Sequence, residues 1–423
     1  MMPKEIYPAT YDLTCSDVFN LTVGTVMSHL EIPVRRGEKY VAPRDVFSML
    51  VGVCAGRTSA NAFAGSCCFK APPSAWSFMY HLKKIGVSEA EEAVNRMLQE
   101  RFVLDRTVPK GKKHAFAVDL HLIPYHGWPL KEGKEVRRSR AKRGTTHFHA
   151  YASIYLVLEG RRYTLAVKYV TADTTLVEVL DFLIGQVEGG WLGYRVGKLY
   201  LDREFFRVEV INYLKKRDIW FLMPAVLRGR SGGMRKLLKG VRKSYKTSYT
   251  MTSPRRKNDR GGGRMMMMEK VTFDVFVVVK YGGKKKYKGK KQGRNYFVYA
   301  YYGNSFKLGK AFEEYRLRFG VESSYRQMNE TRGRTSTKNP AVRLLYVGVS
   351  FLLRNLWIYL QWSYLAVKTR KGRGRGGRKI LEDEFRYRKM IEMIKQTLND
   401  LFGTIRKIRT TQPIKIEKGV KTL

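Results

Sequence analysis

Acidic residues are scarce in this chain of 423 residues: 36 Asp and Glu stand against 81 Lys and Arg, for a formal charge of +45 and a pI near 10.2. Such an excess repels itself unless a polyanion is at hand, so nucleic acid is the leading partner and an anionic membrane surface the second candidate. Cysteine is nearly lacking as well. The four present, Cys15, Cys54, Cys67 and Cys68, lie in the first sixth of the sequence, and adjacent Cys67 and Cys68 lack the spacing by which two thiolates share a zinc ion. They read as small buried apolar residues rather than ligands. No apolar stretch follows the charges of the opening MMPKEIYPAT, which argues against a secretory signal and for a cytoplasmic, nucleoid-associated protein. The most apolar segment, Val342 to Val367, carries Arg354 and Asn355 at its middle. A bilayer tolerates these poorly, so a buried helix and no membrane are expected. Repeats at solenoid periods are absent too. What remains is a chain 44% hydrophobic and 13% aromatic, rich enough to bury a large core, which excludes general disorder.

Residues 1–110 have helical texture. Proline stands in the first turn of the apolar run from Ala42 to Cys54, and Ser74 to Lys84 and Ser88 to Leu104 follow as two further helices. Thr58 to Lys84 fits a helix, a turn and a second helix for a DNA groove, and it fits a plain helical bundle equally. From Ala115 the texture turns to strands: Ala115 to Leu120, Phe148 to Leu158 and Tyr163 to Val170. A helix from Thr174 to Val187 behind Asp173 comes next, then a strand to Leu201, a helix from Arg203 to Lys216, and a strand closed by Pro224. The order implies a mixed α/β sheet over 111–224. A basic β-rich insertion over 225–304 holds strands Val271 to Val279 and Tyr296 to Tyr302 and the cluster that begins with Lys284, Lys285 and Lys286. Helices return over 305–367, and 368–423 form a basic linker, an amphipathic helix from Leu381 to Leu401 and a tail.

In a chain so poor in acids, an Asp closing an apolar strand needs a reason, because an ionised carboxylate near a core is costly unless paired or bound to metal. Asp119 and Asp202 are two such residues, although Asp202 serves equally as the cap of a helix from Arg203. In Tyr315-Arg-Leu-Arg318-Phe-Gly-Val-Glu322 the spacing i, i+3, i+7 puts a Tyr, an Arg and a Glu on one helical face. Three carboxylates from two strand ends and one helix can hold two divalent ions about 4 Å apart. Magnesium is the expected pair, with manganese as a substitute, and the chemistry is that of phosphodiesters.

Asp119 on a first strand, Asp202 on a fourth and Tyr315-x2-Arg318-x3-Glu322 on a later helix resemble the DDE transposases of prokaryotic insertion sequences, in the branch with a Y-x2-R-x3-E signature. The runs Asp119-Leu-His-Leu-Ile-Pro-Tyr-His-Gly127 and Leu201-Asp-Arg-Glu-Phe-Phe206 look like archaeal-type members. The resemblance covers about residues 111–365 and implies a ribonuclease H-like core with an N-terminal helical domain and C-terminal helices. It also implies hydrolysis at element ends, strand transfer into target DNA, and a homodimer in the synaptic complex. Asp119, Asp202 and Glu322 would then be catalytic metal ligands, with Tyr315 and Arg318 orienting phosphate. One departure stands out: seven residues after Glu322 the signature's Lys is replaced by Asn329, leaving Arg326 or Arg332 to serve there.

The run from Thr331 to Asn339, with Arg332, Arg334 and Lys338, reads as a phosphate track or as a solvated basic loop. Five of seven histidines fall between His114 and His149, yet no Cys or acid stands at zinc-like spacing among them, so His126 is kept only as a DNA contact. Gly303 to Lys310 has one residue too many, and Ala311 where a Ser or Thr should follow, for a phosphate loop of an NTPase. Two other functions stay open at this level: a structure-specific, resolvase-like nuclease, and a non-catalytic basic DNA-binding protein whose acids are caps and ion-pair partners.

Overall fold

The computed structural model describes residues 12–32, 42–67, 72–108, 112–130, 132–158, 160–189, 192–228, 232–253, 269–281, 294–368, 378–380 and 385–403. Six helices come first: α1 (Cys15–His29), α2 (Pro43–Ala55), α3 (Ala60–Ser66), α4 (Ala75–Lys83), α5 (Val87–Leu98) and α6 (Arg101–Thr107). Thr14 starts α1 in a reciprocal cap with Asp17, Pro43 opens α2, and the Ser74 hydroxyl accepts the Ser77 amide at the head of α4. The single helix expected over Ser88 to Leu104 is broken at Gln99 and Glu100, where the Gln99 side chain turns to donate to Gln186 across the molecule.

The sheet follows with β1 (Lys113–Pro124), β2 (Arg137–Lys142), β3 (Thr145–Leu158), β4 (Arg161–Val170), α7 (Leu176–Glu188), β5 (Arg195–Leu201), α8 (Val208–Lys216) and β6 (Phe221–Pro224). Strands β1, β3 and β4 pair antiparallel, whereas β5 joins β1, and β6 joins β5, in parallel. The order β4-β3-β1-β5-β6 is the ribonuclease H-like arrangement, set in a mixed α/β fold. Thr175, in a reciprocal cap with Glu178, starts α7 in place of Asp173. The helix expected from Arg203 begins only at Val208, behind a 3-10 turn over Arg203–Phe205.

The described residues of 225–304 lengthen this sheet. Strands β7 (Tyr245–Thr252), β8 (Lys270–Tyr281) and β9 (Arg294–Tyr302) form an antiparallel run whose last member pairs with β6. The chain closes with α9 (Ala311–Arg316), α10 (Gly320–Thr331), α11 (Pro340–Leu360), the short paired strands β10 (Ala366–Lys368) and β11 (Arg378–Ile380), and α12 (Tyr387–Phe402). Of the helix expected over Leu381 to Leu401, residues 381–384 lie outside the described residues and α12 covers the rest from Tyr387. Its apolar residues Met390, Ile394 and Leu398 are buried, and it packs on α1, α2 and α11, so that face is occupied by its own chain.

Pro340–Leu365 is apolar and long enough to cross a membrane, yet 94% of its most apolar window is buried inside the protein. The two polar residues at its middle have structural work there. Asn355 accepts the Thr164 amide (3.1 Å) and donates to the Thr164 carbonyl (2.7 Å), while Arg354 donates to the Arg162 carbonyl (2.6 Å). From α5, Asn95 accepts the Val167 amide (2.7 Å) and Glu91 the Tyr169 amide (2.6 Å). These side chains occupy the outer edge of β4, where unpaired backbone groups would otherwise be left buried or open to another strand. Asn355→Leu keeps the volume and strands both Thr164 groups, so urea unfolding should report a loss of about 2–5 kcal/mol. A loss below about 0.5 kcal/mol would contradict this role, being the scale of a neutral surface change.

Candidate active site

Asp119 and Asp202 meet because of register. Val118 of β1 pairs with Leu201 of the parallel neighbour β5, so the next residue on each chain is an Asp. Strand β5 ends there, and the carboxylates stand at the carboxyl end of a parallel strand pair, where such sheets bind ligands. Asp202 heads the 3-10 turn, but its side chain makes no capping bond. Capping therefore does not explain it.

What engages both acids is Arg318. Its Nη1 lies 3.5 Å from Asp119 Oδ1 and its Nη2 3.5 Å from Asp202 Oδ1. The guanidinium is buried and lies 5.4 Å from the centre of the Tyr315 ring, a cation–π contact. Tyr315 is buried too, and its hydroxyl donates to the carbonyl of Leu201 (3.2 Å), the residue before Asp202. Tyr315 and Arg318 thus pack on each other and on the segment that carries the two carboxylates. Burial pushes the Asp119 carboxyl up to about 7, Arg318 pulls it down, and the charges of Asp202 and Glu322 add to the rise. Glu322 is thus near enough to be felt, although it is exposed and forms no ion pair among the described residues.

The regular helix expected to carry Tyr315, Arg318 and Glu322 on one face is broken. Tyr315 belongs to α9, Arg318 to a 3-10 turn over Leu317–Phe319, and Glu322 to the first turn of α10. The cause is a close approach at Gly320: a β-carbon there would stand 2.3 Å from the guanidinium carbon of Arg162, whose Nε donates to the Leu317 carbonyl (3.1 Å). Glycine admits the arginine, and the arginine satisfies a carbonyl released by the break. Helix α9 is fixed separately, by Glu314 on Lys198 and on the Tyr200 hydroxyl (3.2 Å), and by Glu313 on Lys280 (2.8 Å).

Helix α10 is docked on the strand bearing Asp119 by a residue that sequence reasoning missed. The Tyr325 hydroxyl donates to the Asp119 carbonyl (3.1 Å), shares a hydrogen bond with Ser153 (2.7 Å), and its ring stacks on His121 (4.3 Å between centres). Tyr325 stands three residues after Glu322, a spacing that already placed both on one side of a helix. One turn further, Asn329 lies 3.4 Å from His121 Nε2 and accepts Arg332 Nε at 3.3 Å. The position where the signature has Lys is therefore filled by a neutral bridge between a histidine and an arginine. Burial, followed by the charge of Arg332, pulls His121 down to about 4, so the bridge is uncharged on the histidine side at neutral pH.

The other expected contacts scatter. Arg326, Arg334, Lys338 and His126 are exposed, whereas Arg332 is half-buried against Asn329. Lys284, Lys285 and Lys286 lie outside the described residues. Among the described residues no three His, Cys, Asp or Glu groups already stand together as metal ligands. The physical reason lies in the two Arg318 contacts: a guanidinium holds the space between Asp119 and Asp202, while Glu322 faces solvent. The donor set fits hard divalent cations, being carboxylate oxygens that already share one positive charge, provided that Arg318 moves aside.

No family model matches this chain, and no curated protein matches it. Among solved structures, it is similar to the piggyBac transposase in a synaptic complex with hairpin DNA, at 11% identity and a TM-score of 0.46, over 93% of this chain and 78% of that one.

Proposed function

We propose that this protein is a DNA transposase of an insertion sequence, which hydrolyses phosphodiesters at the element's ends and joins the released 3′-hydroxyls to target DNA with Asp119, Asp202 and Glu322. The observation that carries the reading is the pair of 3.5 Å contacts by which one guanidinium spans Asp119 and Asp202. Two acids from segments far apart in sequence meet at a strand end in a chain with few acids to spare. The excess of basic residues supports a duplex DNA substrate, and the sheet order supports the family reading.

In this reading the DNA-free chain keeps Arg318 as an internal counter-ion for the two Asp residues. A DNA phosphate draws the guanidinium off, because the bidentate fork suits a phosphate as well as it suits a carboxylate. That transfer frees Asp119 and Asp202, and Glu322 closes on them from α10. Two divalent ions, magnesium or manganese, would supply Lewis acidity for in-line displacement at phosphorus. Tyr315 keeps Asp202 in place through Leu201, and Tyr325 keeps α10 on β1. Two chains, one per element end, complete the assembly.

The test uses labelled duplexes taken from the DNA on either side of the coding region, with magnesium. Wild type should nick them, leaving 3′-hydroxyls that become joined to a second duplex. Asp202→Asn and Glu322→Gln should each lower nicking by at least about 10²-fold, the scale for removing one electrostatic stabiliser of a transition state. Undiminished nicking in both variants ends the proposal, and nicking without joining points to a nuclease.

A further inference from the structure

We infer that Trp128 is a base-stacking contact for bound DNA, presented on a stiff loop beside the basic hairpin of β2 and β3. The inference rests on the reading of the chain as a DNA enzyme and extends it to a surface outside the carboxylates. Trp128 is 86% exposed, the most exposed of the large apolar side chains among the described residues, and Leu130 beside it is 47% exposed. Lone surface apolar residues are common, but a bare indole on a fixed backbone is less so.

The backbone here is fixed. Tyr125 donates its amide to the His147 carbonyl (2.9 Å), accepts the Thr145 hydroxyl on its own carbonyl (2.7 Å), and donates its hydroxyl to the Trp128 carbonyl (3.2 Å). Gly127 lies so close on the Tyr125 ring that a β-carbon would stand 2.5 Å from its hydroxyl. Downstream, Leu130 donates to the Glu135 side chain, and the Tyr169 hydroxyl donates to the Glu135 carbonyl. The loop is therefore tied to its flanking strands at both ends while the indole between stays in water.

What lies next to it fits a polyanion. Strand β2 and its turn carry Arg137, Arg138, Arg140, Lys142 and Arg143, and only Arg137 has an acidic partner among the described residues. Arg143 sits at φ +52° in the turn before Gly144, where Asn or Gly is cheaper, so the tip keeps a cation at some cost in strain. The partner of Arg137 is Glu204 (3.2 Å), two residues past Asp202, so the hairpin adjoins the segment that carries the candidate site. A cavity of about 390 Å³, lined by Pro129, Leu130, Arg138 and His147 among others, opens beside the loop. A row of unpaired cations with an indole alongside is the combination that tracks a nucleic-acid backbone and stacks on an unpaired base, whose π-face serves whatever the sequence.

The experiment measures binding without divalent metal, so that no cleavage intervenes, using the full chain and a short duplex with one unpaired 2-aminopurine. Wild type should quench the 2-aminopurine on binding. Trp128→Ala should abolish the quench and weaken binding to this duplex by about 10- to 100-fold, the scale of one base–aromatic stack. Trp128→Phe should keep most of both. Arg140→Ala should weaken paired and unpaired duplexes alike and flatten the salt dependence. If wild type binds DNA and Trp128→Ala binds both duplexes as tightly, stacking is refuted while the proposed activity stands. If wild type binds neither duplex, both fall.

Discussion

Asp119→Asn should make the DNA-free protein more stable at pH 7.5 while abolishing the proposed nicking of DNA. The sign follows from burial. The folded Asp119 carboxyl is pushed up to about 7, whereas the unfolded chain releases that proton near 3.8. Between those values the folded state holds a proton that the unfolded state has given up. Its contribution to stability is therefore full below the lower value and is lost as pH rises through the upper one. Three units correspond to at most about 4 kcal/mol, since each is worth about 1.4 kcal/mol. Asparagine keeps the shape and cannot ionise. Urea unfolding in chelator at pH 4.5 and 7.5 should show wild type losing stability across the interval and Asp119→Asn staying nearly level. Nicking should fall by at least about 10²-fold in the same variant. Parallel pH profiles for the two proteins would show that Asp119 is not a strained buried acid, and would remove the electrostatic argument for its role.

Such an acid is a cost to the fold, and it was one of the features legible in the sequence. Asp119 and Asp202 were readable because an ionisable residue at the end of an apolar strand breaks the pattern around it. The order of strands and helices along the chain, and the mixed sheet it implies, were readable from alternation and spacing; the order of strands within the sheet was not. The break between Tyr315 and Glu322 was not, because it depends on Arg162, more than 150 residues upstream, packing into the gap at Gly320. Propensity marks a glycine inside a helix as a weak point without revealing what fills the gap. Asn355 shows the same limit. In the sequence it only argued against a bilayer; in the structure its amide pairs both backbone groups of Thr164. Tyr325 was invisible for a plainer reason: a tyrosine at helical spacing is commonly core, and only the hydroxyl's position against Asp119 and Ser153 distinguishes it.

The inward orientation of Arg318 bears most directly on the proposed chemistry, and Arg318→Gln tests it with opposite signs in two measurements. In wild type the guanidinium contacts both Asp residues and is itself buried, so any other cation entering there must displace it. Removing the partner of a charge as buried as Asp119 costs up to about 3–5 kcal/mol, whereas Asp202, with 40% of its side chain exposed, is screened by water and adds little. The variant should accordingly unfold more readily than wild type in chelator. Manganese should then bind the DNA-free variant at least about tenfold more tightly than wild type, since no internal cation competes, and should restore much of the lost stability through linkage. Nicking should nevertheless be weak, because the fork that would take the DNA phosphate is gone. Manganese affinity by electron paramagnetic resonance, read beside unfolding with and without the ion, separates the two effects. Equal affinity in the two proteins would mean that Arg318 does not compete for the cation position; normal nicking by the variant would mean that it has no part in holding the DNA. A bridge from one arginine to two acids would then be a structural tie, and the carboxylates would need another explanation for standing together.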